Sequence, residues 1–169
     1  GYHQLVEDRS SLTFVVPPEL VQKFMDPGGL ILDVAGGSGI NAKILGLDAS
    51  KYVCADIAFE GLRIATEQRR GMCVQAEVGR LPIRNDVANS VLCSWSLEHL
   101  MNPETVLDEM IRIVKPGGRI IIWGPNWDNV FRKDFPQFVH RSNAYIWRVR
   151  FHIFFKMIRN GIPPFRYNP

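Results

Sequence analysis

The sequence predicts an α/β fold in which a parallel sheet is buried between layers of helices. Three observations lead there. Short apolar runs, too brief for helices, alternate with amphipathic helical segments along most of the chain. Those runs are almost continuous in Val, Ile, Leu, Cys and Ala, as strands covered on both faces require. One run passes straight into a glycine cluster and then a helix, the unit on which such sheets build ligand sites.

Pro18 to Met25 reads as a short helix, opened by the proline and closed by Asp26-Pro27-Gly28-Gly29. Leu30 to Val34 is the first strand, and Ile40 to Leu47 has helical character. Tyr52 to Ala55 forms the second strand, ending at Asp56, and Phe59 to Arg69 a helix with Arg63, Gln68 and Arg69 available to solvent. Met72 to Ala76, Ser90 to Trp95 and Arg119 to Trp123 supply strands three to five, with a helix over Pro103 to Val114 before the last. The link Glu77 to Asn89 is short, yet it must cross over right-handed if its strands are not neighbours, and a brief helix is expected in it.

At 169 residues the chain suits one domain with a full core and is too short for two ordinary ones. Apolar (46%) and charged (22%) fractions sit near the globular average, which sets aside disordered and fibrous classes. The polar, mixed-charge opening Gly1 to Arg9 lacks a secretory pattern, and no unbroken apolar run approaches the roughly 18 residues of a membrane span. Cys54, Cys73 and Cys93 are odd in number, lack metal-ligand spacing and each fall in a predicted strand. Buried, reduced thiols and a cytoplasmic location are expected. The net charge of +3 gathers in the tail, where Arg132, Lys133, Arg141, Arg148, Arg150, Lys156, Arg159 and Arg166 are opposed only by Asp134.

The strongest local signal is Asp33-Val34-Ala35-Gly36-Gly37-Ser38-Gly39, a strand entering a glycine turn before a helix. Glycine admits positive φ and lets a ligand approach the backbone, while the helix N-terminus beyond leaves N–H groups for an anionic group. Alone, Gly37-x-Gly39-x-x-Ala42 matches the dinucleotide fingerprint as well as it matches an S-adenosylmethionine (SAM) site, and a tight turn without a ligand is the plain alternative. Asp56 closes the second strand where a doubly wound sheet presents a carboxylate to ribose hydroxyls; its alternative is a solvated cap for the helix near Phe59. Glu77, just past the third strand, is placed to accept from an adenine amine or is a loop residue in solvent.

Read together, ILDVAGGSG, VCADIA, QAEVGRLPI, SVLCSWSLEHL and DEMIRIVKPGGRIII resemble the class I SAM-dependent methyltransferases, within them the type 11 group that includes quinone C-methylating enzymes. The five segments stand in family order and cover Leu30 to Ile122. The resemblance implies a Rossmann-like doubly wound parallel sheet of order 3-2-1-4-5. It also implies a SAM-binding domain over residues 1–125 and a basic aromatic helical segment over 126–169, a lid over the acceptor or the remainder of the same domain. By position it implies that Asp33, Ala35, Gly36, Gly37 and Gly39 surround the methionine and ribose portions. Asp56 would hold the ribose, Ile57 pack on adenine, Glu77 and the Val78 N–H meet the adenine edge, and Ser94 lie under the methionine moiety.

Three positions depart from the pattern. Ala35 replaces a glycine, tolerable if its φ is negative; Glu77 replaces an Asp; Asn89 replaces an Asp before the fourth strand. The family's last two strands are not found after Trp123, so a trimmed or incompletely ordered chain with an exposed fifth strand is expected. Methyl transfer needs a base only where the acceptor loses a proton, and His99 is the titratable candidate, beside Glu98, Asn126, Trp127 and Asp128. The resemblance favours a structural His99 over a catalytic one, because the family motif retains this His in enzymes with dissimilar acceptors. Arg141 to Arg159 puts Arg141, Arg148, His152, Lys156 and Arg159 on one stripe beside a wide apolar arc. That face fits core packing, an acceptor lid, or docking on an anionic membrane, the last suiting a lipid or quinone acceptor. No nucleic-acid partner and no metal are expected, and the oligomeric state is not legible. A nicotinamide-dependent oxidoreductase and a non-catalytic binding or scaffold module remain the rivals.

Overall fold

Strand-forming and helix-forming segments settle as their apolar patterns dictate. In the computed structural model, which describes residues 18–26, 28–124 and 151 (Leu20 and Glu98 by backbone alone), five strands form one sheet. These are β1 (Ile31–Val34), β2 (Tyr52–Asp56), β3 (Met72–Gln75), β4 (Ala88–Ser94) and β5 (Val114–Trp123). The order is β3-β2-β1-β4-β5 and every pairing is parallel, a Rossmann-like arrangement. Helices α1 (Pro18–Phe24), α2 (Ile40–Ile44), α3 (Phe59–Glu67) and α4 (Pro103–Ile113) cover it. Gly1–Gly124 and Pro125–Pro169 are separate compact units. No helix among the described residues is long and apolar enough to cross a membrane.

The period of two along a strand sends neighbours to opposite faces. Leu32, Val34, Val53, Ala55, Val91 and Cys93 face one side and pack with Val106, Met110 and Ile113 of α4. Ile31, Tyr52, Cys54 and Leu92 face the other, with Val21, Ala42, Leu45 and Leu62 from α1, α2 and α3 and the turn after α2. Asp33 shares this second face by register and is completely buried there. The chain winds outward from β1 to β3, then restarts at β4 on the other side of β1. The order therefore reverses between β1 and β4, and the crevice beyond their carboxyl ends is where open α/β sheets bind ligands.

The link between β3 and β4 contains turns and no helix. Pro82 lacks an N–H, and side chains of α4 satisfy the link instead. Glu109 accepts from the Leu81 N–H at 2.6 Å, and Arg112 donates to Glu109 through two nitrogens, both at 2.7 Å. Arg112 also donates to Asn85 Oδ1 (2.6 Å) and the Leu81 carbonyl (3.3 Å). The Arg112 bonds hold the Glu109 carboxyl below its ordinary range.

Two further local features differ from expectation. β5 begins five residues earlier than its apolar run, because Lys115-Pro116-Gly117-Gly118 enters the strand as a bulge: Ala88 pairs with Val114 but Ser90 with Arg119. Asn89 braces this amino-terminal edge of the sheet. Its Oδ1 accepts from the Leu30 N–H (3.2 Å) and Lys115 Nζ (3.0 Å), and its Nδ2 donates to Asp26 Oδ2 (2.9 Å), a donation no Asp can make. The three cysteines are free; Cys54 and Cys93 are buried as expected, whereas Cys73, on the edge strand, is half-buried.

Candidate functional site

β1 ends in a bend that alternates left-handed residues: Ala35 (φ 56°), Gly37 (φ 56°) and Gly39 (φ 65°). Ala35 therefore does not have the negative φ that would make its methyl harmless; a non-glycine residue there costs about 1–2 kcal/mol. Gly36 is needed for packing rather than for φ. A Cβ on it would lie 2.8 Å from Cys54 Sγ and 2.9 Å from Asp33 Cγ, and its N–H donates to the Ala55 carbonyl (3.2 Å). Beyond Gly39, α2 is short, ending before Gly46, whose φ is 62°. Arg70, buried after α3, donates to the Ser38 carbonyl at 2.8 Å and braces the bend from below.

Asp56 ends β2 beside this bend. Its Oδ2 accepts from the Gly37 N–H (2.8 Å) and its Oδ1 from the Ala58 N–H (2.7 Å). It thus closes a local turn ahead of α3, whose first turn has no side-chain cap, and also ties the bend to β2. Each carboxylate oxygen has a further lone pair, so both bonds leave acceptor capacity. Ile57, next in sequence, is 68% exposed although apolar. Glu77 is exposed, and its carboxylate makes no hydrogen bond to another described residue; Val78 beside it is buried. Exposed apolar surface, a fixed carboxylate and an open carboxylate thus follow one another along the ends of β2 and β3.

Below the bend lies a buried polar chain. Asp33 Oδ2 accepts from the Tyr52 hydroxyl and from Asn41 Nδ2 (2.9 Å), and the same Nδ2 donates to Ser94 Oγ at 2.8 Å. Asp33 Oδ1 is buried with no hydrogen-bond partner. Burial raises the Asp33 carboxyl from 3.8 to about 6, against the lowering effect of Tyr52 and Asn41. Burial likewise pushes the Tyr52 hydroxyl and the Cys54 thiol well up. Sequence reasoning missed Tyr52 and Asn41. The available signals were a phenol opening a strand, and a lone amide amid the apolar positions of a short helix after the glycine turn.

On the other side of the crevice Ser94 ends β4, and Trp95 follows with φ 52°, strained for a bulky residue. The Ser96 hydroxyl is within bonding reach of the Ala35 carbonyl (3.1 Å) and the Ser94 carbonyl (2.8 Å), joining the two strand ends. His99 closes the 3₁₀ turn Leu97–His99 and is exposed. Asn126, Trp127, Asp128 and the stripe Arg141 to Arg159 lie outside the described residues.

A glycine bend at a strand-order reversal, with a carboxylate closing the adjacent strand, is the arrangement on which Rossmann-like domains build ligand sites. Residues 32–122 match the family model described as a methyltransferase domain, more than half of the chain, and the chain belongs to that family. It is 32% identical over 96 residues to a demethylmenaquinone methyltransferase of Mycolicibacterium paratuberculosis, covering 57% of this chain and 41% of that protein. It is 36% identical over 101 residues to the Clavibacter sepedonicus protein of the same name, covering 56% and 40%. The chain thus spans about two fifths of these relatives. Among solved structures, a SAM-dependent methyltransferase of Aquifex aeolicus aligns at a TM-score of 0.66 and 19% identity, covering 90% of this chain and 86% of that one. At that identity the likeness speaks for the fold.

Proposed function

We propose that this chain binds SAM in the bend and transfers its methyl group to a small, lipid-like acceptor of the quinone type. The observation that carries the cofactor half is Asp56: a carboxylate fixed at the end of β2 by two backbone N–H groups, with acceptor capacity left on both oxygens. The residues fit an adenosyl ligand chemically. Asp56 would accept from the ribose hydroxyls, Ile57 offers an apolar face for adenine, and Glu77 with the Val78 N–H would meet the adenine edge. Gly37 and Ser94 would flank the amino-acid tail, while Asp33, Ala35, Gly36 and Gly39 shape the bend from within.

Bound SAM supplies a methyl group already activated on a sulfonium sulfur. What the chain must add is alignment of the acceptor and exclusion of water. Ser94, Trp95 and Ser96 form the side of the crevice from which an acceptor would approach. His99 would hold the acceptor's proton only if transfer requires one to leave. The acceptor class is supported by the curated relatives, which act on a demethylated menaquinone by name. Peripheral contact with an anionic membrane through Arg141 to Arg159 would suit such an acceptor.

The test is titration calorimetry with S-adenosylhomocysteine and, separately, NADH. S-adenosylhomocysteine should bind and Asp56→Ala should weaken it on the order of tenfold or more. Tight binding of NADH alone would refute the cofactor assignment, and an unchanged Asp56→Ala affinity would refute the ribose contact. Methyl transfer to a lipid extract but not to an aqueous one, with labelled SAM, is the expected result for the acceptor.

A further inference from the structure

Asn41 is 7% exposed, on a helix whose other buried residue is apolar Ala42. A buried amide is costly unless its hydrogen bonds are made. This one gives its Nδ2 hydrogens to Asp33 Oδ2 and Ser94 Oγ, at 2.9 and 2.8 Å. The polarity of the second bond has a consequence. A hydroxyl owns one hydrogen and two lone pairs. Because Asn41 donates to Ser94, the Ser94 hydrogen is left for another acceptor, and no described residue takes it. Asp33 Oδ2 already receives two donors. Ser94 stands half-buried at the carboxyl end of β4, next to the bend, so the hydrogen's remaining outlet is the crevice.

We propose that Asn41 is a positioning residue that orients the Ser94 hydroxyl so that its hydrogen is left for a ligand acceptor in the crevice. The site thereby selects adenosyl ligands that carry a carboxylate tail over those that lack one. The inference rests on the adenosyl reading above and adds to it a residue and a selectivity. Asp33 and Tyr52 hold the far end of the chain: with Asp33 Oδ2 fixed by both donors, the Asn41 amide plane is fixed as well, and so is the direction from which Ser94 is approached.

The probes are S-adenosylhomocysteine and 5′-methylthioadenosine, which shares the adenosyl thioether but has no amino-acid tail. Both are titrated calorimetrically into the unaltered chain and into Ser94→Ala, Ser94→Thr, Asn41→Leu and Asn41→Asp. The unaltered chain should prefer S-adenosylhomocysteine by about tenfold or more, the worth of a hydrogen bond to a charged group. Ser94→Ala and Asn41→Leu should each remove most of that preference while leaving methylthioadenosine within about twofold, and the double variant should lose no more than either single one. Asn41→Asp keeps the shape if Asn41→Leu fails to fold. Its carboxyl group accepts from Ser94 and captures the hydrogen, so the same selective loss is expected, and Ser94→Thr should retain the preference. Equal loss of both ligands in the Asn41 variants, or additive losses in the double variant, overturns the inference. An unaltered chain that binds neither ligand overturns the adenosyl reading and the inference together; one that binds both with a preference that no variant changes overturns the inference alone.

Discussion

Replacing Asp33 by Asn removes a carboxylate that sits in the core with no cation beside it among the described residues. The side chain is completely buried, Tyr52 and Asn41 both donate to Oδ2, and Oδ1 has no partner. Burial, with a smaller push from Asp56, moves the carboxyl from 3.8 to about 6. For an acid whose pKa is raised on folding, the folded chain holds more protons between the two values, so stability falls as pH rises through that window. Each pH unit is worth about 1.4 kcal/mol, and the full span about 3 kcal/mol. An Asn can offer its oxygen to Tyr52 and Asn41 and puts its NH₂ where Oδ1 already lacks a partner, so the contacts change less than the charge. Urea denaturation of both proteins from pH 3.5 to 8 is the assay. The stability of Asp33→Asn relative to the unaltered chain should rise by about 3 kcal/mol from below pH 4 to above pH 6, whatever its offset at low pH. Groups such as Glu109 titrate alike in both proteins and cancel. Parallel curves across that window would mean that the Asp33 carboxyl is not raised by its burial.

Three other substitutions test the frame around the site. Ala35→Gly relieves a left-handed alanine and should stabilise by about 0.5–1 kcal/mol after the entropy of the added glycine, read as a higher urea midpoint. Gly36→Ala drives a methyl against Cys54 and Asp33 and should cost about 1–3 kcal/mol in thermal unfolding, partly recovered by adding Cys54→Ala. Arg112→Met releases the link after β3, at about 1–3 kcal/mol, with faster hydrogen exchange at the Leu81 amide. Glu109, held low by Arg112, contributes stability above its ordinary pKa of 4.5 that is lost as pH falls below it, and this acid-side loss should shrink in the variant.

The sheet was legible because its strands are continuous apolar runs and its order follows from the resemblance; register, faces and the reversal at β1 and β4 agree with both. Boundaries were less legible where local chemistry overrides pattern. Lys115-Pro116-Gly117-Gly118 falls outside both the helix and the strand that the apolar pattern marks yet is held in β5 as a bulge, and the link after β3, where a brief helix is expected, is satisfied by Glu109 and Arg112. The glycine bend, Asp56 and Ser94 were visible as residues of the right type at strand ends. Their internal logic was not. That Gly36 serves packing, that Ala35 is left-handed, and that Asp33, Tyr52, Asn41 and Ser94 form one chain depends on residues far apart in sequence meeting at a fixed register. Neither periodicity nor spacing encodes such meetings.

A crystal of the chain soaked with S-adenosylhomocysteine would show whether an adenosyl ligand lies in the bend with its sugar on Asp56. Both ribose hydroxyls are expected within hydrogen-bonding distance, about 3 Å, of the Asp56 oxygens, while the Gly37 and Ala58 N–H groups keep their bonds. Density for the ligand elsewhere, with Asp56 engaged only by those two N–H groups, would contradict this placement.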